Sequence, residues 1–192
     1  TPVAYLVCNF QAAQNPTLTF SDVETLFHEF GHSLHHLLTE RELPSIAGIN
    51  EVPWDIVELP SQLQEQWCYE PQVLKALSSH QETAQSLPDS FIEKIIESRR
   101  FQASLHLIRQ LEFSKFDWMV HALDECDDPV NFWLQMRQDI AVMPTYENNA
   151  FPLGFSHIFA GGYAAGYYSY LWAETYAHQV FDYLKDRQFN TE

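Results

Sequence analysis

The residues best suited to chemistry in this 192-residue chain are His28-Glu29-Phe30-Gly31-His32. Two histidines four positions apart on a helix differ by about 40° in direction after one full turn and by about 6 Å of rise. Both imidazoles can then reach one Zn²⁺ at about 2.0–2.1 Å without bending the helix. Glu29 follows the first histidine directly, so its carboxylate can reach a metal-bound water but is badly placed to be a third ligand. That geometry suits a general base in metal-assisted hydrolysis. The competing reading is an ordinary amphipathic helix with surface histidines. It must explain Gly31, because glycine costs about 1 kcal/mol inside a helix.

A catalytic zinc keeps three protein ligands and one open position, so a third ligand must come from elsewhere. The longer pattern H-E-x-x-H-x-x-G-x-x-H would supply a histidine. Here its glycine position is His35 and its last histidine position is Leu38. His35 projects near His28 in angle but lies about 10 Å further along the axis, so His35 and His36 read as helix surface or as supports of the ligands. A carboxylate on another helix remains. Glu51, Asp55, Glu58 and Glu65 fall on or near one further segment, where Asp55, Glu58, Gln62 and Glu65 are spaced i, i+3, i+7 and i+10. Periodicity does not choose among them.

The other unusual stretch runs from His157 to Trp172. Tyr163, Tyr167 and Tyr170, spaced i, i+4 and i+7, would share one helix face. An aromatic core stripe has the same spacing, but three phenols where Phe would serve must each find a hydrogen-bond partner. A phenol is a neutral donor near pH 7 and can aim at the oxyanion formed when a peptide carbonyl is attacked. Gly161 and Gly162 would let the preceding loop move and close over substrate.

The elements that must position these residues are mostly helical. Val3 to Phe10 reads as a strand, and Thr17 to Phe20 as a second that makes a small β-hairpin around a turn at Gln11–Pro16. Ser21-Asp22-Val23-Glu24 reads as a capping box that starts a helix to about residue 40, with Val23, Leu26, Phe27, Phe30, Leu34 and Leu37 as its apolar stripe. A second helix is expected over 53–70, kinked at Pro60. Helices follow near 71–79, 89–98, 100–123, 130–141 and 163–187. In the helix over 100–123, Phe101, Leu105, Ile108, Leu111 and Phe116 set the period. No repeat, low-complexity tract or linker is visible, so residues 1–192 are expected to form a single, mainly α domain.

Composition narrows the class of function. A formal net charge of −16 argues against binding nucleic-acid phosphates or anionic membrane surfaces, which need clustered Lys and Arg. Cys8, Cys68 and Cys126 are three, widely spaced and without C-x-x-C, which fits free thiols in a reducing compartment and a cytoplasmic location. No apolar run approaches a transmembrane length, and no signal peptide is visible. The chain begins with Thr1, as a piece of a longer protein would.

Val57-Glu58-Leu59-Pro60-Ser61-Gln62 resembles the glutamate helix of the thimet-oligopeptidase-like (M3) family of zinc metallopeptidases, and His28-Glu29-Phe30-Gly31-His32 is similar to the family's zinc motif. The resemblance implies a zincin-type multi-helix fold and Glu58 as third ligand beside His28 and His32, for one Zn²⁺ per chain. It leaves Asp55 and Glu65 as groups that could orient a ligand histidine. His157, the Gly161-Gly162-Tyr163 loop and the tyrosines that follow match the family's substrate cleft. The resemblance thus implies that His157, Tyr167 and Tyr170 bind substrate and stabilise the transition state, with Tyr163 positioning substrate. Val52-Pro53-Trp54-Asp55 and Gln66-Trp67-Cys68-Tyr69-Glu70-Pro71 are most like the bacterial oligopeptidase A branch, with the dipeptidyl-carboxypeptidase branch close behind. The expected function is hydrolysis of short oligopeptides by a zinc-bound water that Glu29 activates. A dipeptidyl carboxypeptidase and a non-catalytic helical zinc-binding fragment are the alternatives. Family members are several hundred residues long, so an N-terminal helical half is expected to supply the other wall of the cleft.

Overall fold

Thr19 starts the helix that carries the histidine pair. This helix, α1, spans Phe20–Leu37 in a computed structural model that describes residues 1–12 and 17–189. Thr19 Oγ1 accepts from the Asp22 amide at 3.2 Å, and Asp22 Oδ2 accepts from the Thr19 amide at 2.7 Å. These reciprocal bonds are a capping box, two residues earlier than the expected one at Ser21. Glu24, the partner expected for Ser21, instead accepts from the Tyr69 hydroxyl.

The expected β-hairpin does not form: there is no strand among the described residues. Residues 3–10 carry no regular secondary structure, and Val3, Tyr5, Leu6 and Val7 are exposed. β-branched and aromatic composition favours a strand only where a neighbour completes the ladder. The segment meant to pair with it ends in the α1 cap, and Phe20 is already helical. Residues 13–16 of the expected turn lie outside the described residues.

Two compact units make up the described chain: residues up to Arg99 together with those from Ala173 onward, and Arg100–Trp172. In the first unit α1 meets α2 (Leu59–Glu65), which continues as a 3₁₀ turn over Gln66–Tyr69. Then come α3 (Pro71–Leu77) and α4 (Asp89–Ser98), and the unit takes in the later part of the last long helix, which spans Ser169–Asp186. The expected helix over 53–70 is shorter because Pro60 starts it rather than kinking it. Proline has no N–H to donate and its ring clashes with the carbonyl four residues back, so it suits a first helical turn. Residues 53–59 form tight turns, with Ile56 N donating to Pro53 O and Leu59 N to Ile56 O. Glu58 becomes the N-cap residue. Arg99 ties the unit together by donating to Gln66 Oε1 at 2.5 Å while lying over the Tyr69 ring. Trp67 meets Phe181 edge-on at 5.2 Å.

In the second unit α5 (Ala103–His121) and α6 (Pro129–Ile140) enclose a core of Phe116, Trp133, Met136, Phe155 and Ile158. α7 (Phe151–Gly154) and a 3₁₀ turn at Ser156–Ile158 close it. The buried face of α5 is only partly the expected one: Phe116 is buried and Leu105 and Ile108 are half-buried as expected. Phe101 and Leu111 are exposed, and the buried residues are Glu112, Phe116 and Asp117. Glu112 is neutralised by Arg137 Nε at 2.8 Å and by Arg109 Nη1 at 2.5 Å. The Arg109 guanidinium also lies 4.3 Å from the Phe113 ring centre. With the Ser169–Asp186 helix as α8, the described residues hold eight α-helices.

Candidate functional site

His28 and His32 stand one turn apart on α1, and the start of α2 brings Glu58 to both. Glu58 Oε2 lies 3.3 Å from His28 Nε2 and 3.1 Å from His32 Nε2. One donor atom from each of the three residues falls within 4.8 Å of the others. The two rings meet edge-on at 4.9 Å.

Gly31 makes this approach feasible. A Cβ there would sit 2.5 Å from Pro60 O and 2.6 Å from Ser61 Cα. Only a residue without a side chain lets the α2 backbone come so near α1. The glycine that looks costly from helix propensity is the contact point that delivers Glu58.

Neighbouring groups fix the three donors. Ser61 Oγ donates to Glu58 Oε2 at 2.9 Å and to its carbonyl oxygen at 2.8 Å, and Glu58 is only 4% exposed. His28 Nδ1–H donates to Glu65 Oε1 at 2.5 Å, which directs Nε2 to the centre of the cluster. Burial works against a charged His28, but hydrogen bonds to Glu58 and Glu65 outweigh it and raise its pKa to about 10. Two imidazoles and one carboxylate, with an outer carboxylate on one imidazole, fit Zn²⁺ in ligand type and number and leave a coordination position open. Replacing Glu65 with alanine is expected to weaken metal affinity about 10- to 100-fold, measured by competition with a chelator. An unchanged affinity would remove Glu65 from the site.

Glu29 is half-buried on α1, next to His28 and outside the donor cluster. Asp55 is exposed. His35 and His36 are also outside the cluster. Burial, with the neighbouring His32 and His36, lowers the pKa of His35. Ser61, within the Val57–Gln62 motif, is not among the residues expected at the site, yet its hydroxyl holds the Glu58 carboxylate.

His157, Tyr163, Tyr167 and Tyr170 belong to the second unit. Tyr163 and Tyr170 stack at 4.9 Å, Tyr167 and Tyr170 lie 5.1 Å apart, and the His157 ring meets Tyr167 edge-on at 6.3 Å. One helix face does not assemble them, since α8 begins only at Ser169. Gly162 and Ala165 adopt left-handed backbone, with φ of 89° and 54°. These two residues fold 161–168 into turns that gather the rings. Gly161 is required sterically, since a Cβ there would lie 2.8 Å from both Cα and the carbonyl oxygen of His157. The Tyr167 hydroxyl donates to Gln110 Oε1 at 3.3 Å. Burial raises its pKa, with Arg109 opposing, so it is a neutral donor near pH 7.

The sequence profile described as Peptidase family M3 matches residues 1–192. Oligopeptidase A of Escherichia coli strain K12 is 48% identical over 198 residues, covering 100% of this chain and 29% of that protein. Oligopeptidase A of Haemophilus influenzae is 44% identical, over 97% of this chain and 28% of its own length. Dipeptidyl carboxypeptidase of E. coli K12 is 35% identical, over 97% and 28%. The chain therefore spans under a third of the length of these relatives.

Proposed function

Because the chain belongs to peptidase family M3, we propose that it is the metal-holding part of a zinc endopeptidase acting on short oligopeptides. The observation that carries this reading is the convergence of His28, His32 and Glu58 donors from two separate elements within 4.8 Å, with Glu29 beside them and free of ligand duty. His28, His32 and Glu58 would hold Zn²⁺. When bound, the metal supplies Lewis acidity toward the scissile carbonyl and toward a water molecule. Glu29 takes the proton from the attacking water and passes it to the leaving amine. His157, Tyr167 and Tyr170 donate to the peptide and to the developing oxyanion. Tyr163, with Gly161 and Gly162, positions the substrate. We propose further that residues 1–192 act as one catalytic domain, with a helical N-terminal half of a longer protein as the opposite cleft wall. The free thiols of Cys8, Cys68 and Cys126 support a cytoplasmic location. No helix among the described residues is long and apolar enough to cross a membrane.

The test is metal analysis beside a quenched-peptide assay on the protein expressed from its own gene. One equivalent of zinc is expected, together with hydrolysis that a chelator abolishes and added zinc restores. Hydrolysis that survives complete metal removal would overturn the reading. Mass spectrometry of the products from one decapeptide separates endopeptidase cuts from stepwise C-terminal dipeptides. The latter is the second reading, supported by the likeness to dipeptidyl carboxypeptidase.

A further inference from the structure

Asp117 is a carboxylate on α5, only 1% exposed, with no role in the reaction outlined above. Packing does not call for a charge there, and a buried carboxylate is costly unless its oxygens are all engaged. Its oxygens are engaged by a segment about fifty residues away. Oδ1 accepts from the Ala165 amide at 2.8 Å, and Oδ2 from the Tyr167 amide at 2.8 Å. His121 Nδ1, one turn along α5, lies 2.9 Å from Oδ1 and equally 2.9 Å from the Asp117 carbonyl oxygen, so it is shared between the two. The two amides flank Gly166 at the left-handed turn, where no helical carbonyl can receive them. The carboxylate thus satisfies the amides of a turn whose backbone L-residues rarely adopt.

α5 holds Tyr167 at two points. Asp117 grips its backbone amide, and Gln110, seven residues earlier on the helix, accepts from its hydroxyl. Positions seven apart share a helix face. The hydroxyl contact is long and must be released before the phenol can serve another acceptor. The amide contact is short, charge-assisted and buried, so it survives that exchange and fixes the pivot about which the side chain turns.

We propose that Asp117, oriented by His121, is a positioning residue that aims Tyr167 at the reacting peptide. This rests on the assignment of Tyr167 as a substrate donor. The test is a double-mutant cycle of Asp117→Asn with Tyr167→Phe, assayed for peptide hydrolysis in the protein expressed from its own gene. Asparagine keeps the shape but sets an NH₂ against one of the amides. Asp117→Asn is expected to lower kcat about 10- to 100-fold, the scale of misplaced catalytic geometry, with KM nearly unchanged and zinc content intact. In the Tyr167→Phe background the same change should cost only a fewfold. Additive losses would reduce Asp117 to a structural group and overturn the proposal, and so would unchanged kcat.

His121→Ala, milder because it leaves both amide bonds in place, should lower kcat several-fold and keeps the test open if Asp117→Asn does not fold. Hydrogen exchange gives an independent reading. The Ala165 and Tyr167 amides should be protected in the wild type and exchange at least tenfold faster in Asp117→Asn, with α6 unaffected. If Tyr167→Phe alone is fully active, the donor assignment fails, and the aiming role falls with it. If the wild type cleaves no peptide, the functional reading fails, and exchange alone judges the clamp. Equal exchange in both proteins overturns the clamp whatever the activity shows.

Discussion

Replacing Glu29 with glutamine is expected to leave the metal in place and to lower peptide hydrolysis by about 10²- to 10⁴-fold, the range for removing a positioned general base. Glutamine matches glutamate in size but cannot accept a proton near neutral pH. Glu29 is not among the three donors that converge, so zinc content and affinity should match the wild type. Glu58→Gln provides the contrast. It removes a buried charge that lies 3.1 and 3.3 Å from the two histidines, and should lose the metal and the activity together. Zinc analysis and turnover measured on the same preparations separate the two. Turnover of Glu29→Gln at the wild-type rate would remove it as the base. Loss of zinc from that variant would place Glu29 in the ligand set.

What could be read from sequence depended on how local the determining interactions are. His28 and His32 are related by helix geometry alone, and five residues suffice to state it. Glu58 is thirty positions further on. Spacing left it level with Glu51, Asp55 and Glu65, and only the resemblance of Glu58-Leu59-Pro60-Ser61-Gln62 singled it out. The contact that brings it to the histidines is a meeting of two backbones at Gly31, which no periodicity encodes. The tyrosine rings gather as the i, i+4, i+7 spacing suggested, but Tyr163 and Tyr167 do so on turns set by Gly162 and Ala165, and only Tyr170 stands on a helix. Ala165 gives no residue-type signal for left-handed backbone, and Asp117, the group that supports it, lies on another element. The same property hid part of the inner face of α5, although Phe116 is buried as expected. Its buried members include Glu112 and Asp117, whose partners are Arg137 and two distant amides. A hydrophobicity pattern counts such carboxylates as solvent-facing. The N-terminal segment failed in the opposite sense, since β composition specifies a strand only together with a partner that the local sequence does not name.

Replacing Gly31 with alanine should destabilise the protein, although the same change at an ordinary helical position is favourable by about 1 kcal/mol. The sign turns on what the new methyl group meets. Its nearest neighbours would be Pro60 O at 2.5 Å, Ser61 Cα at 2.6 Å and Pro60 C at 2.9 Å. All three are backbone atoms, so no side-chain rotation relieves the contact. Carbon atoms rest against one another at about 3.5–4.0 Å, so α1 and the start of α2 must separate by roughly 1 Å. Overpacking of this kind costs about 1–3 kcal/mol and can exceed that, which outweighs the gain in helix propensity. The separation also acts on the site. His32 is the next residue after Gly31, and Glu58 lies two before Pro60, so the donors move apart with the backbones that carry them. Metal affinity should therefore fall about 10- to 100-fold, as when a supporting group is lost, even where the protein remains folded. Denaturant unfolding and chelator competition measure the two effects separately. Gly154→Ala is the control, because a Cβ there meets nothing within 4 Å and both quantities should stay near wild type. A Gly31→Ala protein that is more stable and binds zinc normally would show that the two backbones do not meet as closely as the ligand set requires.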